Sequence, residues 1–73
     1  MFVVIELQEN DGVLTNLVTS HETLQEAESK YHTILAAAAI SSIDVHSAVL
    51  LNSSGSLIKS EFYRHPKNEG VTE

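Results

Sequence analysis

The sequence predicts an α+β domain of ββαββ order: a four-stranded antiparallel sheet with one helix packed on one face. Three observations carry this prediction. Apolar and polar residues alternate in both end portions of the chain, a helix-spaced apolar stripe runs through the middle, and turn residues divide each alternating portion in two.

Phe2 to Gln8 sets Val3, Ile5 and Leu7 on one side against Phe2, Val4, Glu6 and Gln8 on the other, the period of a strand. Asn10-Asp11-Gly12 follows with residues that tolerate or prefer positive φ, so a second strand from Val13 to about Thr19 closes a hairpin. Thr23-Leu24-Gln25-Glu26 fits a capping box, with Thr19 and Glu22 as a competing helix start. Leu24, Ala27, Tyr31, Ile34, Leu35 and Ala38 share the core face of that helix, and Gln25, Glu28, His32, Ala36 and Ala39 form a flanking stripe suited to a second surface.

Ser41-Ser42 ends the helix. Val45 to Leu51 reads as the third strand, Asn52-Ser53-Ser54-Gly55 as a turn, and Leu57 to about Arg64 as the fourth strand. Residues 1–65 form one domain on this reading. Residues 66–73, with a single Val71 among Pro, Asn, Gly and charged residues, are expected to be a flexible tail.

A chain of 73 residues with no cysteine has little core and no disulfide staple, which favours self-association. One helix cannot cover both faces of the sheet. Phe2, Val4, Leu50, Leu57 and Tyr63, mixed with Glu6, His46, Lys59 and Glu61, are expected on the uncovered face, as a contact for another chain. The apolar start Met1 to Ile5 is broken by Glu6 and lacks the flanks of a signal peptide. No apolar run approaches the roughly 20 residues of a membrane span, so a soluble, cytoplasmic protein without membrane contact is expected.

The net charge of −6 argues against general binding to DNA or RNA, because phosphate contacts need clustered Lys and Arg. Six of the ten acids precede the first base, Lys30, so any anion site falls to the second half. There Tyr63, Arg64 and His65, with Lys59 nearby and His46 across the hairpin, combine groups that stack on a base and neutralise a phosphate. The bland alternative packs Phe62 and Tyr63 to opposite sides and leaves Arg64 and His65 in water.

His32 lies one helical turn from Glu28, which could orient its imidazole; a solvated pair is the ordinary alternative. Ala36 to Ala39 allows close approach of another backbone, but alanine is also simply the best helix former. The four histidines match no compact metal motif, and no G-x-S-x-G, H-E-x-x-H or glycine-rich phosphate loop occurs. Neither an enzyme nor a cofactor is expected.

Glu26-Ala27-Glu28-Ser29-Lys30-Tyr31-His32-Thr33, with Val45-His46-Ser47-Ala48-Val49 and Tyr63-Arg64-His65, resembles a family of small phage and prophage proteins of Firmicutes, over Met1 to about His65. That resemblance carries no established activity. In size and layout the chain is also similar to phage anti-defence sponge proteins, which are oligomeric and hold nucleotide immune signals at subunit interfaces. The similarity implies a homo-oligomer sequestering a nucleotide-derived small molecule through Tyr63, Arg64, His65, Lys59, His46 and His32. The second expectation is a phage accessory or structural module that binds a protein partner.

Overall fold

The computed structural model describes residues 1–65, so the tail expected over 66–73 lies outside the described residues. Its elements are β1 (Phe2–Asn10), β2 (Val13–His21), α1 (Leu24–Ile40), β3 (Val45–Asn52) and β4 (Leu57–Arg64). They form one antiparallel sheet in the order β2-β1-β3-β4, with the single helix on one face. This is the ββαββ α+β fold that the alternation predicts.

Local chemistry fixes each junction. Asp11 and Gly12 take φ of 53° and 79°, the left-handed pair of a tight hairpin turn, and Gly55 takes 87° in the second hairpin. The Asn52 side-chain oxygen accepts from the amides of Ser54 and Ser56, which holds that second turn closed. At the start of α1 the Thr23 hydroxyl accepts from the Glu26 amide at 3.1 Å, a cap of about 1 kcal/mol, and decides the start against Thr19. Thr19 instead lies in β2, where its hydroxyl donates to the Val4 carbonyl.

The core lies between α1 and the two central strands. Ala27, Tyr31 and Ile34 of the helix pack with Val4 of β1 and Ala48 and Leu50 of β3, while Phe2 and Leu35 close its margin and Ala38 is buried near the end of the helix. In the sheet, Val4 stands between Leu50 on one side and Thr19 on the other, so these residues share the helix-side face.

That register corrects one expectation. Phe2, Val4, Glu6, His46, Leu50, Lys59, Glu61 and Tyr63 belong to the helix side of the sheet, and the bare side carries Val3, Ile5, Leu7, Val18, Val49, Leu51 and Phe62. Alternation shows which residues share a face but not which face receives the helix. Here the helix packs on the side that contains a carboxylate and an imidazole, and it leaves the more uniformly apolar side open.

Those two polar groups satisfy each other. His46 is 3% exposed; its Nε2 lies 2.7 Å from Glu6 Oε2 and its Nδ1 3.2 Å from Ser41 Oγ. Gln8 donates to the same Glu6 oxygen at 2.9 Å. Burial raises the Glu6 pKa, but hydrogen bonds from His46 and Gln8 and the positive fields of His46 and Lys30 outweigh it, leaving the carboxyl below its ordinary value.

A lowered folded-state pKa makes Glu6 stabilising above its unfolded value of about 4.5, and the stabilisation is lost as pH falls from there through the folded value. Glu6→Gln is expected to cost about 1–3 kcal/mol at pH 7. Urea titrations across the acid range should show the difference from the parent shrinking below pH 4.5; a pH-independent difference would assign the effect to packing. Leu50→Ala, at a fully buried side chain, is expected to cost about 2–5 kcal/mol by the same titration, so a loss under 1 kcal/mol would contradict this core.

Candidate functional site

Three surfaces are available for binding, and the sequence-predicted residues divide among them. The first is an open groove of about 780 Å³ between the flank of α1 and β4, with His32, Ala36 and Ala39 on one wall and Lys59, Glu61 and Tyr63 on the other. The predicted flanking stripe of the helix therefore does face a second surface, the last strand of its own sheet.

Tyr31 forms the floor of this groove at 3% exposure. Burial first, and the negative charge of Glu61 second, push its phenol pKa up, so it stays protonated at neutral pH. His32 is exposed and meets the Tyr31 ring edge-on at 5.4 Å between centroids. Its expected partner Glu28 is turned toward Lys59 instead, at 3.3 Å, and the Lys59 ammonium stands 6.0 Å from the Tyr31 ring centroid. Both Lys59 and Glu28 are well solvated, so the pair contributes little to stability. Lys59 is paired with Glu28, and Glu61 adds a carboxylate to the lining, so the basic group of this groove is offset by acids.

Of the remaining predicted residues, His65 reaches this group through Tyr63, whereas His46 and Arg64 lie apart from it. His46 pairs in register with Tyr63 but is enclosed with Glu6 and Ser41 beneath the helix. His65 stacks nearly parallel to Tyr63 at 6.4 Å, and its Nε2 lies 2.7 Å from the Ala38 carbonyl. A carbonyl only accepts, so that nitrogen carries the proton and donates it to the end of the helix. Arg64, by strand alternation, projects to the opposite side, where its guanidinium lies 5.8 Å from the Phe62 ring.

The second surface is that opposite side. Its rows across the sheet read Ser20–Val3–Leu51–Leu57, Val18–Ile5–Val49–Ser60, Asn16–Leu7–Ser47–Phe62 and Leu14–Glu9–Val45–Arg64. Three of the four rows hold no charge, and the last balances one acid with one base. A shallow depression of about 590 Å³ lies between β3 and β4 here, beside Val49, Phe62 and Arg64. Sequence reading had the alternating sets of β1 and β3 right and assigned them to the wrong faces; in β4 the extra Ile58 parts Leu57 from Lys59, Glu61 and Tyr63 and leaves it beside Leu51 on the bare side, where it was expected. The uniform apolarity of Val3, Ile5 and Leu7 was itself ambiguous, since it suits a core as well as an interface.

The third surface is formed by the outer edges of β2 and β4, which no strand flanks among the described residues. In β4 the register shifts: Leu50 pairs with Lys59 and Leu51 with Leu57, so Ile58 is an extra residue that bends the strand. Among the described residues no group of three or more His, Asp or Glu side chains is arranged to hold a metal ion. No helix there is long and apolar enough to cross a membrane. No protein-family model, curated protein or solved structure matches the chain.

Proposed function

We propose that this chain is a non-enzymatic interaction module that works as an assembly of its own copies, joined through the face of the sheet that the helix leaves bare. One observation carries the reading: the more apolar side of the sheet is the uncovered one. Phe62 is 57% and Val18 54% exposed there, and a solitary monomer rarely exposes so continuous an apolar surface.

A second copy fits this face by charge and by size. The chain carries −6 overall, yet the face has one acid and one base, so identical copies meet where their mutual repulsion is least. Four strands at about 4.8 Å spacing, eight residues long at about 3.3 Å each, give about 500 Å² per copy, or about 1,000 Å² for the pair, the lower bound of a specific interface.

Sequestration of a nucleotide-derived molecule is the second reading, supported by the aromatic and basic side chains of Tyr63, Lys59 and His32 at one groove. Glu28 and Glu61 beside Lys59 count against an anionic ligand in a single copy. The resemblance to small phage and prophage proteins would set either role in an infected bacterial cell.

Native mass spectrometry distinguishes these readings. The parent is expected as a defined even-numbered assembly, and Val49→Lys, which puts an ammonium in the middle of the bare face, is expected to halve its mass while far-ultraviolet circular dichroism stays unchanged. An unchanged mass would exclude the bare face as the joint. A nucleotide retained in the parent spectrum would move the reading to sequestration.

A further inference from the structure

The two edges of the sheet are built differently. β4 carries Lys59, Glu61 and Arg64 and is bent by its extra residue, the devices that deter another strand from adding to an edge. β2 has neither. Its nine residues, Val-Leu-Thr-Asn-Leu-Val-Thr-Ser-His, include no acid, no Lys or Arg, no Gly and no Pro. Val13, Leu14, Leu17 and Val18 are each more than half exposed. Its pairing with β1 runs through all nine positions without a register shift, so the outer edge is regular along its length.

We infer that β2 is a strand-pairing site for β2 of a second copy, joined antiparallel across a two-fold axis so that two four-stranded sheets become one of eight. This deepens the assembly proposed above and rests on that reading. An axis through the middle residue sets Leu17 against Leu17, Thr15 against Thr19 and Leu14 against Ser20, with no charged residue facing a like charge. Such a joint is self-complementary and closes on itself, whereas β2 meeting β4 of the next copy would propagate head to tail and would confront the guarded edge. The strand chemistry selects the same occupant: in an acidic chain of −6, β2 is a nine-residue edge on which two copies meet without charge repulsion.

Joining the edges also carries the bare faces of both copies into one continuous surface. The edge joint uses the outward backbone groups of β2 and the face joint the side chains of the bare side, and four copies complete both.

The test separates them. Leu17 pairs with Glu6 and therefore stands on the helix side of β2, so Leu17→Lys guards the edge without touching the bare face, whereas Val49→Lys alters only the face. Native mass spectrometry is expected to give four copies for the parent, two for each single variant and one for the double variant. Hydrogen exchange of the β2 amides that point away from β1 is expected to be slow in the parent and in Val49→Lys, and at least ten-fold faster in Leu17→Lys. Leu17→Glu serves as a second edge variant if Leu17→Lys fails to fold. An unchanged mass in a folded edge variant, with β2 amides as fast in the parent as in that variant, would overturn the edge joint; the face joint would still stand if Val49→Lys halves the mass. A monomeric parent would overturn both.

Discussion

A four-stranded sheet has two faces and the described residues supply one helix, and the remaining structure follows from that shortage. Seventeen helical residues cover the central strands on one side only. The covered side is organised around small and medium side chains, Ala27, Ala38 and Ala48 among them, which let the helix lie close while Tyr31, Ile34, Val4 and Leu50 fill the volume. With so few large side chains fully enclosed, the domain has little stability in reserve, and any second layer on the other face would add to a small total.

The packing is tied at its ends by polar contacts that span distant parts of the chain. The Asp44 carboxylate accepts from the Asp11 amide at 3.0 Å, the Asp44 amide donates to the Asn10 side chain, and the Asp44 carbonyl accepts from the His65 amide at 2.8 Å. The first hairpin turn, the connector into β3 and the end of β4 thus meet at one residue. Glu6 and His46 perform a similar role inside, joining β1 to β3 beneath the end of the helix with Ser41 as third partner. A buried hydrogen-bonded polar pair in a small core contributes less to net stability than to fixing how the elements align.

Much of this was legible in the sequence because it is local. The turn at Asp11-Gly12, the cap at Thr23 and the strand alternations each depend on residues within a few positions of one another, and they appear as read apart from Leu57, which the extra Ile58 moves out of its set. The choice of face was illegible for a physical reason: it depends on which alternating set the helix meets, and a chain that places Glu6 and His46 under the helix while exposing Ile5 and Val49 reverses the ordinary preference. The candidate site suffered similarly. Tyr63, Arg64 and His65 are consecutive, but a strand sends Arg64 to the other face, and His46 and His65 are engaged by Glu6 and by the helix carbonyl, partners that only the tertiary fold brings near. The bulge at Ile58 had no sequence signal from glycine or proline.

The contact between His65 and the Ala38 carbonyl bears on how the chain reaches its fold during synthesis. The last turn of α1 is alanine and isoleucine, without a Lys or Arg to answer its negative end. Ser41 meets the Ala38 carbonyl first, through its amide at 3.3 Å and its hydroxyl at 3.4 Å, and a third donor arrives from His65, past the end of β4. Translation is vectorial, so the helix leaves the ribosome with only the Ser41 donors at that carbonyl, and the imidazole joins them after the second hairpin has been made. The imidazole is thereby a late clasp, one that ties the second hairpin back onto the helix it follows in sequence.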